Sequence, residues 1–175
     1  MAPTASSAGS ASALGKGADV LPVLAEHDPG RRVRALLVEL NPILSRRARA
    51  TAAVLGLAGV EVRTADAGTT DTYLDMPPAD VLVAFGVFGN ISVDDMRRTV
   101  ATLPALLAAG AIVIWTRADR HTGHDPSLDV RTCLLNNGFT EMSLTSTTDD
   151  LFRVGIHRLA DVHVVQQGMR MFTFV

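Results

Sequence analysis

The residues here whose types and spacing could do chemistry are acids that close apolar runs and the glycines that follow such runs. In VRALLVELNP (33–42) a run apolar enough to be buried ends in Glu39, a charge that folding avoids burying. A carboxylate there can accept both hydroxyls of a ribose, or it is simply the first solvated residue of a loop. In EVRTADAG, Asp66 closes the next short run, where it either accepts from an adenine amino group or caps a turn. The run DVLVAF then enters Gly86-Val87-Phe88-Gly89-Asn90. Its glycines let backbone approach a flat ligand, with Phe88 to stack and Asn90 to hydrogen-bond; the alternative is a tight turn before Ser92. Arg117 closes AIVIWTR as a substrate clamp or, the preferred reading, a surface cation.

Three further stretches carry weaker signals. Gly15-Lys16-Gly17 precedes an apolar segment, and glycines before a helix can turn backbone N–H groups toward a ligand. His121-x-x-His124-Asp125 has metal-ligand residue types, but it lies in a loop where Asp125 serves better as a helix cap, so no metal is expected. Cys133 falls in an apolar helical pattern and reads as a small core residue.

The elements that must position these residues follow from caps and breakers. Asp19 to Glu26 reads as a short helix with Pro22 in its first turn. Val33 to Leu40 is a strand, and Asn41 caps a helix that begins at Pro42 and stops at Gly56. Val60 to Thr64 and Asp80 to Phe85 are strands. Ser92 with Asp95 resembles a capping box opening a helix to about Ala108, ended by Gly110. Ala111 to Thr116 is a strand, Asp125-Pro126 starts a helix that ends at Asn137-Gly138, and Phe152 to Leu159 and Met169 to Val175 are two closing strands. Alternating strands and helices imply a parallel sheet covered on both faces, while the closing pair is too near in sequence for a helical crossover and must be antiparallel.

With 175 residues the chain amounts to one domain. Residues 1 to 14 are Ala/Ser/Gly/Thr-rich and read as a flexible tail, leaving 15 to 175 as the folded unit. A hydrophobic share of 47% against 19% charged residues is globular. A formal net charge of −2 offers no electrostatic footprint for nucleic acid or an anionic membrane. One cysteine, no apolar run of membrane-spanning length and no secretory apolar segment point to a soluble, cytoplasmic protein.

Together these stretches resemble a class I S-adenosylmethionine-dependent methyltransferase of a bacterial kind, over roughly residues 15 to 175. The resemblance rests on VRALLVELNP, GVEVRTADAG, PADVLVAFGVFGNIS, LLAAGAIVIWTR, and the closing FRVGIHRLA and RMFTFV. It implies a three-layer α/β, Rossmann-like fold with a mostly parallel sheet and an antiparallel C-terminal hairpin. It also implies S-adenosylmethionine as cofactor, with Glu39 at its ribose, Asp66 and Ala67 at its adenine, Leu40, Phe85 and Gly86 beside it, and Gly15 and Gly17 as remnants of the glycine-rich loop. Phe88, Asn90 and Arg117 would face a small-molecule acceptor. No catalytic residue is assigned, and a homo-oligomer is left open.

The departure lies at the start. The family carries a central first strand and a D/E-x-G-x-G-x-G loop; here TASSAGSASAL holds no apolar run for a buried strand, and only G-K-G-A-D resembles the loop. The slot must be filled by residues 5 to 13, closed by its two neighbours, or filled by a partner's strand. The first is expected, because backbone hydrogen bonding needs no particular side chain. Two other functions fit part of the pattern: a catalytically silent domain of the same fold, favoured by the degraded first strand, and an NAD-dependent oxidoreductase, since an acid after the second strand also suits a nicotinamide ribose.

Overall fold

The computed structural model describes residues 10–15, 19–26, 33–118, 125–148, 151–160 and 168–175. The run that opened the sequence reading forms β2 (Arg34–Val38). Successive side chains of a strand point to opposite faces, and here both faces are covered. Leu36 and Val38 join one buried cluster, Ala35 and Leu37 the other. That double burial explains a continuous apolar run where a half-exposed strand would alternate.

Around β2 lie β1 (Ser10–Gly15), β3 (Val60–Arg63), β4 (Ala79–Phe85), β5 (Leu107–Ala118), β6 (Phe139–Ser146) and β7 (Phe152–Leu159). They form one sheet in the order β3-β2-β1-β4-β5-β7-β6. Strands β1 to β5 run parallel, and β7 is antiparallel to both β5 and β6. Helices α1 (Val20–Glu26) and α2 (Pro42–Val54) cover one face, with Leu21, Ala48 and Ala52 packed on Ala35 and Leu37. Helices α3 (Val93–Thr102) and α4 (Ser127–Leu135) cover the other through Met96, Val100, Val130 and Leu134. The expected three-layer α/β fold is the observed one.

Local signals held where they were strongest. Asn41 Oδ1 accepts from the N–H groups of Ile43 and Leu44 at 2.8 and 3.4 Å, and Pro42 opens α2. Gly56 follows α2 with φ +69°, a left-handed conformation that suits glycine. Ser92 Oγ accepts from Asp95 N–H at 3.1 Å to start α3.

Three expectations are corrected, and one holds with shifted bounds: the first-strand slot is filled by the chain itself, Ser10–Gly15 pairing with β2 on one side and β4 on the other, as in Ala11 opposite both Ala35 and Val81. Residues 10 to 14 therefore belong to the sheet and not to a tail, while residues 1 to 9 lie outside the described set. Helix α3 stops at Thr102 and gives way to a 3₁₀ turn, Leu103–Ala105, instead of reaching Ala108. Pro104 is the cause, since it has no N–H and its ring crowds the preceding turn. Gly110, with φ +77°, lies inside β5, where Ala79 to Val81 of β4 spans Leu107 to Ile112 of β5.

The antiparallel hairpin is present but uses other segments. It joins β6 to β7, and Phe139–Ser146 escaped notice because only Phe139 of that strand is buried, so no apolar alternation marks it. Met169 to Val175 is not a sheet strand. It makes one isolated bridge, Thr69 to Arg170, and buries the adjacent residues Met171 and Phe172 completely.

Candidate functional site

The C-terminal ends of the parallel strands open into a cleft of about 1020 Å³. Such ends are where open α/β sheets bind ligands. Strand β2 delivers Val38, Glu39 and Leu40, and the start of α2 adds Asn41 and Pro42. The turn after β3 delivers Asp66 and Ala67, and Asp19 enters from the start of α1. Past β1, the end of β4 supplies Phe85, Gly86, Gly89 and Asn90. Beyond them stand Thr116 and Ala118 of β5, Thr147, Phe152 and Phe174.

Glu39 continues the β2–β3 ladder, its N–H donating to Arg63 O at 3.0 Å. Its Oε1 accepts from Asn41 N–H at 2.8 Å, so the carboxylate is oriented by the same turn that caps α2. An ionised carboxylate has lone pairs for several bonds, and Glu39 lines the cleft while making this one. Glu39 thus braces the loop and lines the cleft.

Asp66 is held more firmly. Its Oδ1 accepts from Gly68 N–H at 2.8 Å, an Asx turn, and its Oδ2 pairs with Arg170 Nη1 at 2.9 Å. The turn around it is tied by Thr72 Oγ1 to Asp66 O at 2.7 Å and by Tyr73 Oη to Ala67 O at 2.9 Å. Burial, reinforced by the Asp66 charge, pushes the Tyr73 phenol well above its ordinary range, so it remains a neutral donor. A Cβ on Gly68 would come 2.2 Å from Phe172 O; only glycine allows the C-terminal segment to lie this close.

At β4, Gly86 has φ +67°, a region that glycine adopts without strain. Its N–H donates to Thr116 Oγ1 at 3.2 Å, and its carbonyl accepts from Asn90 Nδ2 at 2.6 Å. Gly15 closes β1 directly opposite Phe85, which puts the end of the first strand beside the cleft.

The cleft brings together Glu39, Leu40, Asp66, Ala67, Phe85, Gly86 and Asn90 of the expected site. It excludes two others. Phe88 is fully buried and meets Trp115 edge-on, ring centroids 6.2 Å apart, so it packs the core and cannot stack on a ligand. Arg117 lies between Thr116 and Ala118, which line the cleft; the strand's alternation turns Arg117 the other way. Gly17, His121 and His124 lie outside the described residues, and among the described residues no three His, Cys, Asp or Glu side chains could hold a metal. No helix among them is long and apolar enough to cross a membrane.

Sequence reading missed Asp19, Thr116, Thr147, Phe152 and Phe174. Asp19 and Thr116 lie within stretches already singled out, G-K-G-A-D and AIVIWTR, so their position was a usable signal. Phe152 and Phe174 carry none, because only the sheet order and the path of the C-terminal segment bring them to the cleft.

No family model matches the chain, and no curated protein sequence matches it. Solved structures do. An O-methyltransferase family protein from Burkholderia thailandensis superposes with a TM-score of 0.70 at 14% identity, over 88% of this chain and 52% of that one. A fibrillarin pre-rRNA processing protein of Methanococcus jannaschii gives 0.66 at 14% identity, over 87% of this chain and 67% of that one. A SAM-dependent methyltransferase from Aquifex aeolicus gives 0.63 at 14%, over 87% and 83%. The chain thus spans from about half to about four-fifths of the length of these proteins. Likeness at this identity carries architecture and not activity. What the strand order and these superpositions establish together is a Rossmann-like α/β fold of the kind found in S-adenosylmethionine-dependent methyltransferases.

Proposed function

We propose that the chain binds S-adenosylmethionine over the ends of β1, β2 and β3 and passes its methyl group to a small molecule held beyond β4. The observation that carries this reading is the convergence of Glu39 and Asp66, from the ends of two adjacent strands, on one cleft that also contains the open backbone of Gly86. The donor set fits the cofactor. Glu39 accepts ribose hydroxyls, Asp66 accepts the adenine amino group, and Leu40 and Ala67 border the base. Gly15, at the end of β1, sits where the methionine portion would pass. Small-ligand clefts run to roughly 300–1,000 Å³, so about 1020 Å³ has room for a cofactor and an acceptor together.

When bound, the cofactor supplies a methyl group on a positively charged sulfur. The residues of this chain hold, orient and shield. Glu39, fixed by Asn41 N–H, sets the ribose, while Asp66, fixed by Gly68 and Arg170, sets the base. Thr116 and Gly86 are tied to each other, which keeps the β4 and β5 tips at constant separation. The contribution to rate is one of proximity and alignment. With the cofactor bound, these residues would hold the acceptor's nucleophilic atom in line with the methyl group and keep water from it.

Two observations favour this reading over the other two. A silent domain was favoured by the absence of a first strand, and β1 is in place. Dinucleotide-binding sheets run 3-2-1-4-5-6, whereas here antiparallel β7 stands between β5 and β6. The formal net charge of −2 favours a small acceptor over a nucleic acid.

Calorimetric titration with S-adenosylmethionine and with S-adenosylhomocysteine tests the proposal. Binding with a Kd of roughly 1 μM to 1 mM, the range of ordinary Michaelis constants, is expected for both. Absence of heat and of any thermal shift with either ligand at millimolar concentration would end it.

A further inference from the structure

We infer that the half of the cleft beyond β4 takes a flat, uncharged aromatic molecule. This rests on the methyl-transfer reading only for calling that molecule the acceptor; the recognition itself is argued from the lining residues.

Among the described residues, charge divides the cleft. Its ionisable described residues, Asp19, Glu39 and Asp66, all stand on the β1–β3 side. Beyond β4 the described lining consists of glycine, asparagine, threonine, alanine and phenylalanine. A charged ligand group buried there would meet no partner among these residues, at a large desolvation cost. Hydroxyls and amides are provided for instead. The Thr116 hydroxyl accepts from Gly86 N–H at 3.2 Å, which leaves its own O–H to donate. Asn90 spends its Nδ2 on Gly86 O and keeps its Oδ1 as an acceptor.

Shape comes from two rings and two glycines. Phe152 and Phe174 are 44% and 45% exposed, yet neither is loose. Phe152 is bound on both backbone groups, Phe152 N–H to Thr147 Oγ1 at 3.2 Å and Thr147 N–H to Phe152 O at 2.9 Å. Phe174 stands edge-on to the buried Phe172, centroids 5.2 Å apart, and the next residue is anchored by Val175 N–H to Asn90 O at 3.0 Å. One exposed aromatic is ordinary on a protein surface. Two that line one cleft, each with a braced backbone, offer apolar faces that a ligand ring can cover. On the same lining a Cβ on Gly89 would meet nothing within 4 Å, and one on Gly86 only Asn90 Nδ2 at 4.0 Å, so space is open beside both glycines.

The test uses the full chain with and without saturating S-adenosylhomocysteine. The probes are 2-naphthol, its saturated counterpart decahydro-2-naphthol, and the charged 2-naphthoate, read by calorimetry or ligand-observed NMR. The expected result is binding of 2-naphthol on the order of tenfold tighter than either other probe, the scale of two ring contacts. Phe152→Leu and Phe174→Leu keep apolar bulk and each should cut that preference severalfold while the variants melt as the wild type does. Equal binding of the flat and saturated probes overturns the inference. So does equal binding of naphthoate, absence of naphthol binding, or a preference that survives in both leucine variants. If S-adenosylhomocysteine itself does not bind, the methyl-transfer reading fails, and the probe series on the ligand-free chain still decides the aromatic site.

Discussion

Arg170 Nη1 and Asp66 Oδ2 lie 2.9 Å apart, although 104 residues separate them in the chain. The pair fastens the C-terminal segment to the turn after β3, and both side chains are about half exposed, at 53% and 39%. Exposed pairs contribute about 0.2–1 kcal/mol, so its value lies in aiming the carboxylate and not in stability. Arg170→Met should lower the melting temperature by only a few degrees but weaken S-adenosylhomocysteine binding severalfold. The inosine analogue, which lacks the amino group that Asp66 would accept, should bind wild type and variant alike. Equal weakening of both ligands would disconnect Arg170 from adenine recognition.

Glu39→Ala should cost about 1.5–3 kcal/mol of cofactor affinity, the scale of hydrogen bonds to a charged group. Glu39→Gln should fall between, since its amide keeps an acceptor without the charge. Because Glu39 Oε1 also accepts Asn41 N–H, the alanine variant should lose up to about 1 kcal/mol of stability as well. Calorimetry and urea melts separate the two effects; unchanged affinity in a folded variant removes the ribose role.

The C-terminal segment should be essential to folding even though it is no sheet strand. Phe172 is fully buried, and Phe172→Ala should destabilise by about 3–5 kcal/mol. Phe174, half exposed against the cleft, should cost well under that when truncated. Removal of residues 168 to 175 should leave an insoluble or molten product, checked by near-ultraviolet dichroism. A cooperative melt at the wild-type temperature would contradict the burial seen here.

His157 should make the fold acid-sensitive. It is fully buried, Trp115 Nε1 donates to its Nδ1 at 3.2 Å, and its Nε2 has no hydrogen-bond partner among the described residues. Burial lowers its pKa, opposed by Glu141 on β6, whose Oε2 lies 3.9 Å away, and aided by Arg131 on α4. A histidine kept neutral in the fold binds fewer protons than in the unfolded chain below its ordinary pKa. Its stabilising effect is complete above about pH 6.5 and is lost as pH falls from there toward the lowered folded value. His157→Asn, which keeps an acceptor for Trp115, should melt with a shallower dependence over that window; an unchanged slope would assign the acid sensitivity to carboxylates.

The first strand can be read by hydrogen exchange. Amides of Ala11 to Ala13, paired on both sides, should be protected to a degree comparable with Leu36 to Val38. Immediate exchange there would leave the centre of the sheet without its middle strand.

The sequence by itself determined what local chemistry controls. Asn41-Pro42, Gly56 and Ser92 set helix ends because caps act within a few residues of the groups they satisfy. The run ALLV disclosed a strand buried on both faces, and Glu39 and Asp66 stood out as candidates because acids at strand ends contradict the apolar pattern beside them; both line the cleft. Tertiary structure decided the rest. SASALG becomes the central strand because its neighbours present unpaired backbone groups on both sides, a demand that no side chain of its own announces. RMFTFV alternates like a strand and is not one, since its backbone finds Gly68, Asp95 and Asn90 instead of a ladder. FTEMSLTS does not alternate and is a strand, because an edge position asks for pairing on one side and little burial. The same contest placed Phe88 in the core and Phe174 at the cleft: burial is assigned by what packs against a ring, and those partners lie far along the chain.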